Sequence, residues 1–130
     1  MVHRFVPRVM AVLFVCFAVF VAGCSSGGND RDAPAWARGM DTVTVSALPA
    51  EARKTLRRID DGGPFPYEKD GAVFGNFERE LPRQKRGYYR EYTVRTPGER
   101  DRGARRIVTG GGGEIYYTDD HYASFKAVLR

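Results

Sequence analysis

Cysteine is nearly missing from this sequence of 130 residues: Cys16 and Cys24 are the pair. Everything after residue 24 is free of thiols, so no disulfide can staple it and packing alone must hold it together. Histidine is as scarce, with His3 and His121 the two copies. One histidine and no thiol beyond the first two dozen residues exclude a zinc site of the usual ligand type there. A long apolar run is absent too. VMAVLFVCFAVFVAG, residues 9–23, falls short of the ~20 apolar residues that a membrane-crossing helix usually needs. Internal repeats are missing, which sets aside solenoid architectures. From Met40 onward the chain has room for one modest core and not for two domains.

What is present begins with export. Arg4 and Arg8 precede the apolar run, and small residues close it, the pattern of a secretory signal. Its end, VAGC, resembles the bacterial lipobox, in which the cysteine is lipidated and becomes the new N-terminus. Residues 1–24 are therefore expected to be a signal peptide of lipoprotein type, with Cys24 the lipidated residue; an uncleaved anchor or ordinary secretion would show a similar pattern. Residues 25–39, with SSGGNDRDAP at their head, are polar and glycine-rich and are expected to form a flexible linker. The domain is expected over 40–130. Removing the two arginines of the signal from the 21 basic residues leaves 19 against 16 acidic ones, a mild excess. Its distribution is less mild, because Arg95, Arg100, Arg102, Arg105 and Arg106 lie together. Such a local field favours polyanions, nucleic acid or an anionic membrane surface.

SALPAEARKTLRRIDDGGP predicts one helix. Pro49 suits the first turn, Glu51 the positive end of the dipole, and Ala52, Leu56 and Ile59 share a face. Lys54, Arg57 and Arg58 fall toward its end, and Gly62-Gly63-Pro64 stops it. Strands are predicted in GAVFGNFE, GYYREYTV, RRIVT and YASFKAVL, separated by turn signals and by the glycine run 110–113. In the last of these, Phe125, Ala127 and Leu129 alternate with Ser124 and Lys126, giving one dry side and one wet. The expected fold is α+β: one N-terminal helix packed on a twisted antiparallel β-sheet whose other face is open for a ligand.

Three groups of side chains could do chemistry. Glu91 lies in mid-strand, with Tyr89 and Thr93 on its own face. Neighbouring guanidinium groups would keep it ionised, and beside a bound phosphate it is a competent general base; a cross-strand ion pair on a sheet surface would place a glutamate there equally well. His121, in TDDHYASF at the start of the last predicted strand, could protonate a leaving alkoxide, or could simply be a surface histidine in a turn. Arg102 and Arg106 could converge on one phosphate through their planar forks, or could serve solubility.

These residues occur together in DGGPFPYEKDGAVFGNFERELP, GYYREYTVRTPGERDRGARRI and YYTDDHYASF, and in this combination the sequence resembles the microbial guanyl-specific ribonucleases, especially the streptomycete branch of the family that includes barnase. The resemblance runs from about Val43 to Phe125. It implies an endoribonuclease of the microbial ribonuclease fold that cuts single-stranded RNA 3′ of guanosine, by transesterification to a 2′,3′-cyclic phosphate followed by hydrolysis, without a cofactor or metal. Glu91 matches the general base, His121 the general acid, and Arg102 with Arg106 the pair that neutralises the phosphate. Glu78 matches the carboxylate that reads guanine, Asn76 a residue that shapes the loop around the base, and Phe74 and Tyr122 contacts to the base and its phosphate. A barstar-like protein inhibitor is a partner the family implies. The protein is expected to act as a monomer outside the cell, secreted or held at the outer face of the membrane by lipid alone.

Phe77 stands where the family leads one to expect arginine, and Arg90 where a histidine is often seen. Relatives commonly join their ends by a disulfide, but Thr44 occupies the first position of that pair. Losing such a crosslink costs roughly 2–5 kcal/mol where nothing compensates, so a less stable domain with an intact site is expected. The glycine run before Glu114 is read as a surface loop. A non-catalytic RNA- or anion-binding envelope module would keep the arginines and aromatics, but would not need Glu91 and His121 together.

Overall fold

The computed structural model describes residues 33–130. The signal segment, Cys24 and most of the expected linker lie outside the described residues. Six strands form one sheet: β1 (Thr42–Thr44), β2 (Ala72–Phe74), β3 (Tyr89–Thr93), β4 (Arg106–Gly110), β5 (Ile115–Thr118) and β6 (Lys126–Leu129), in the order β1-β6-β5-β4-β3-β2. One α-helix, α1 (Ala50–Asp61), packs on it.

The helix follows its sequence pattern. Ala52, Thr55 and Leu56 are buried on one face, and with Leu48 they meet Val94, Ile107, Ile115, Tyr117 and Val128. Cutting Leu56 to alanine in such a site costs about 2–5 kcal/mol. Pro49 is the N-cap rather than a first-turn residue and offers no side-chain cap. Arg53 instead ties the helix to the chain before it, donating from Nη1 to the Ser46 and Leu48 carbonyls at 3.1 Å each. Gly62 ends the helix at φ 77°, its N–H reaching the carbonyls of Arg58 and Ile59, a conformation glycine adopts without a Cβ clash.

Several expectations need correction. The sheet is mixed, not wholly antiparallel, because β1 runs parallel to β6 with Thr44 opposite Leu129. Parallel neighbours need a long crossover, and here the rest of the domain lies between them. The last strand starts at Lys126, not at His121. It also lacks a wet side over its middle, since Ala127 and Val128 are both fully buried, one toward each core cluster. The sheet's second face is only partly open. Ala37, Leu81, Tyr89, Val108, Tyr116, Phe125 and Ala127 form a second apolar cluster there. The Trp36 ring meets Tyr116 edge-on at 5.4 Å, so the packed unit begins near Ala33 and residues 33–39 are not flexible linker. The glycine run is exposed over 111–113, as expected of a surface loop, but Glu114 after it is not on that surface. It is buried, and its carboxylate folds back where Cβ atoms on Gly110 or Gly112 would stand.

Candidate active site

Period-two alternation along β3 places Glu91 on the face that also carries Tyr89 and Thr93, between Ala72 of β2 and Val108 of β4. Small Ala72 at the sheet edge leaves the carboxylate reachable; its side chain is 14% exposed. Both oxygens are engaged. Arg102 Nη2 donates to Oε1 at 3.4 Å, and the Tyr122 hydroxyl donates to Oε2 at 3.0 Å. Arg102 is itself steadied by an Nε bond to the Thr93 hydroxyl at 3.1 Å.

Arg106 starts β4 and is 2% exposed. Its Nη1 faces three carbonyls of the preceding loop, those of Arg102 at 3.3 Å, Gly103 at 3.0 Å and Arg105 at 2.7 Å. Its Nε donates to the Tyr122 hydroxyl at 3.1 Å, and its Cζ lies 5.8 Å from the centre of that ring, within cation–π range. The guanidinium is thus a pivot around which the Arg102–Arg105 loop is wrapped. Burial pushes the Tyr122 phenol above its usual value; the Glu91 charge adds to the rise while Arg106 opposes it.

His121 sits beside this network, its ring 4.9 Å from that of Tyr122, and its N–H bonds to the Ala104 carbonyl at 3.0 Å. It belongs to a turn rather than a strand. His121 and Tyr122 have φ of 55° and 71°, two consecutive left-handed residues that side chains with a Cβ seldom adopt. Asp120 holds them there. Its Oδ1 accepts from the Thr118 hydroxyl at 2.8 Å and the Ser124 N–H at 2.9 Å, and its Oδ2 accepts from the Ser124 hydroxyl at 2.5 Å. The Thr118 hydroxyl in turn accepts from the Tyr122 N–H at 3.2 Å. Hydrogen bonds from Ser124 and Thr118 hold the Asp120 carboxyl at about 2, below its usual 3.8. Sequence reasoning missed this role. The signal was a Thr-x-Asp-x-x-x-Ser spacing typical of side-chain-bonded turns.

Next to Glu91 lies a cavity of about 240 Å³ lined by Phe74, Asn76, Phe77, Glu78, Glu91 and Tyr122, among others. The Phe74 and Tyr122 rings stack at 5.1 Å and 24° on its wall. Asn76, at φ 52°, clasps the loop shut. Its Nδ2 donates to the Leu81 carbonyl at 2.9 Å, and its Oδ1 accepts from the Leu81 N–H at 3.1 Å. Glu78 is exposed, and its carboxylate enters no ion pair or hydrogen bond among the described residues. Phe77 is 86% exposed, its ring lying over Gly75, where any Cβ would collide with it at 2.5 Å. The structure therefore brings Glu91, Arg102, Arg106, His121 and Tyr122 to one place and sets Phe74, Asn76 and Glu78 around the adjoining cavity. Among the described residues no three His, Cys, Asp or Glu side chains cluster as metal ligands.

Comparison with known proteins gives this geometry its context. A family model described as ribonuclease matches residues 31–129. Guanyl-specific ribonuclease St of Saccharopolyspora erythraea is 53% identical over 91 residues, 70% of this chain and 90% of the relative. Guanyl-specific ribonuclease Sa of Kitasatospora aureofaciens is 59% identical over 88 residues, 67% of this chain and 92% of the relative. A structure of ribonuclease Sa2 in complexes with mononucleotides aligns with a TM-score of 0.69 at 49% identity, over 70% of this chain and 95% of that one. Sa2 with guanosine-2′-cyclophosphate aligns at 0.67 and 50%, over 69% and 96%. On family match, identity and fold together, the chain belongs to the microbial guanyl-specific ribonucleases.

Proposed function

We propose that this chain, a guanyl-specific endoribonuclease by family, cuts single-stranded RNA 3′ of guanosine by metal-independent acid–base catalysis. The observation that carries the reading is the Tyr122 hydroxyl, which joins the Glu91 carboxylate to Arg106 while Arg102 holds the other carboxylate oxygen. Glu91 takes the proton of the ribose 2′-hydroxyl. The freed oxygen attacks phosphorus, the P–O5′ bond breaks, and His121 gives its proton to the departing 5′-oxygen. The products are a 2′,3′-cyclic phosphate and a free 5′-hydroxyl. Water then opens the ring with the two roles exchanged. Arg102 and the Nη2 of Arg106, the nitrogen not engaged by the loop or Tyr122, offset charge growing on the non-bridging oxygens, an electrostatic contribution worth about 10²–10³ in rate per lost donor in comparable sites. RNA carries its own nucleophile, so the chemistry has no need of a metal, and DNA lacks the attacking group.

In the adjoining cavity the Glu78 carboxylate accepts from guanine N1–H and the exocyclic amine together. Adenine cannot offer that pair of donors, and an acceptor pair left unmatched is what rejects it. Phe74 supports the base, and Asn76 keeps the loop's backbone donors in place. The leader sequence favours export, with lipidation at Cys24 tethering the enzyme outside the membrane; mass spectrometry of the mature N-terminus tests this. A monomer and a barstar-like inhibitor complete the reading.

The test is cleavage of an oligoribonucleotide with a single guanosine, in the presence of chelator. One cut 3′ of guanosine is expected, with Glu91→Gln and His121→Gln each lowering turnover by about 10²–10⁴ while the fold persists. Retained binding without cleavage by the wild type would instead support the binding-module reading.

A further inference from the structure

Alternation along the strands divides the sheet into two faces. Tyr89, Glu91 and Thr93 of β3 share one face, and Val94, the next residue, joins the core under α1 on the other. The later strands repeat the division: Ile107, Tyr117 and Val128 lie under α1, while Val108, Tyr116 and Ala127 belong to the cluster on the catalytic side. The outer side of α1 is therefore the back of the domain. There a groove of about 430 Å³ runs between α1 and the segment carrying Pro66 and Tyr67. Lys54, Arg57, Arg58 and Arg95 line it against one carboxylate, Glu51. Among the described residues none of these four cations enters an ion pair, and Lys54, Arg57 and Arg95 are exposed. Cations gathered without internal partners form a focused positive field. This one points away from the reaction site.

The domain begins beside this back face. Pro34 and Arg130 line one cavity, and Arg130 donates to both oxygens of Asp60, in the last turn of α1, at 3.1 and 2.7 Å. One corner thus carries the entry of the chain and the end of the helix. Residue 33 follows Cys24 by nine positions, a span of at most about 30 Å. That exceeds the length of α1, about 18 Å for its 12 residues, so a lipid on Cys24 would keep the whole helix within reach of the bilayer. We propose that the groove docks on anionic phospholipid headgroups, with Lys54, Arg57, Arg58 and Arg95 toward the membrane and the catalytic face toward solvent, an inference that rests on the lipid-anchor reading above. Arginine forks suit headgroup phosphates, and Tyr67 supplies an amphipathic ring of the kind enriched at headgroup level. Each cation close to such a surface strengthens association about fivefold. The tether supplies proximity and the patch supplies orientation, which leaves the Glu91 cavity open to RNA.

The experiment is a lysine footprint on the protein expressed with its leader, extracted from membranes and reconstituted on vesicles of phosphatidylcholine, alone or mixed with phosphatidylglycerol. A water-soluble acetylating reagent is applied briefly, and modification of Lys54 and Lys85 is read by mass spectrometry. Lys85, exposed in the loop before β3, is the internal control. On the mixed vesicles at low salt, Lys54 is expected to react about tenfold more slowly than on phosphatidylcholine alone, while Lys85 reacts equally on both. High salt should restore Lys54, and Arg57→Gln/Arg58→Gln/Arg95→Gln should remove most of its protection. Equal Lys54 reactivity on the two kinds of vesicle, or equal shielding of Lys85, would overturn the proposal. So would an oligodeoxyribonucleotide that shields Lys54 as well without vesicles, which would assign the patch to nucleic acid. An unmodified Cys24 in the same digest overturns the lipid-anchor reading, and this inference falls with it; a lipidated Cys24 with an unshielded Lys54 overturns the docking alone.

Discussion

Arg106→Gln separates folding from catalysis at the site. The guanidinium faces three carbonyls through Nη1 and the Tyr122 hydroxyl through Nε. Nη1 has two hydrogens, so this amounts to two full bonds to the loop and one to the phenol. Hydrogen bonds involving a charged group contribute roughly 1.5–3 kcal/mol each, a gross loss of about 4–9 kcal/mol. Relief from holding a charge at 2% exposure returns several kcal/mol. The net loss is about 3 kcal/mol, which for a domain of this size lowers Tm by roughly 12–24 °C. Arg106→Lys keeps the charge but cannot spread donors over four acceptors, so it should fall in between. Arg102→Gln is the control. With 31% side-chain exposure and a 3.4 Å contact to Glu91, it should change stability by no more than about 1 kcal/mol, yet lower turnover by about 10²–10³. Circular dichroism melts give the stabilities, and turnover is read well below the lower melting point. If Arg106→Gln melts with the wild type, the pivot argument is wrong, whatever happens to activity.

Two further predictions concern the flanks of the site. The Asp120 carboxyl is held at about 2 against an ordinary 3.8; a depressed carboxyl contributes stability that is fully present above about 4 and is lost as pH falls through about 2. Asp120→Ala should therefore flatten the stability profile between those limits, modestly because the group is exposed, and should lower kcat by loosening His121 while leaving KM near wild type; an unchanged acid limb in a melt series would refute it. Phe77→Ala should weaken guanosine 3′-monophosphate binding by roughly 5- to 160-fold, the 1–3 kcal/mol of an aromatic–base stack. Calorimetry showing equal affinities would leave Phe77 outside the base site.

The helix was legible because Ala52, Leu56 and Ile59 repeat at helical spacing and Gly62 supplies the stop. β3 was legible through its alternation around Glu91. β1 was not, because three residues of TVT gain a partner only from β6, far along the chain. β5 hid for a different reason: all four of its residues are buried, so it has no alternation to read. The site residues were found by resemblance, and their couplings lay beyond any periodic signal. Tyr122 meets Arg106 and Glu91 from another segment, and Asp120 acts through turn geometry rather than charge.

The site divides its chemistry from its selectivity by how each part is held. Glu91 and Arg106 sit on paired strands, and His121 and Tyr122 on a turn bound by Asp120 and Thr118, so hydrogen bonds hold the backbone that carries them. The base cavity, by contrast, is built on a loop closed chiefly by the Asn76–Leu81 clasp. The loop adjoins the rest of the site through Phe74, the last residue of β2, which stacks on Tyr122 and lines one cavity with it and Glu91. The same contacts make base occupancy felt at the carboxylate. If the proposed mechanism holds, a base seated on Phe74 presses on the ring whose hydroxyl orients Glu91; its binding energy would then go into aligning that carboxylate, and a poorly seated base should lose turnover as well as affinity.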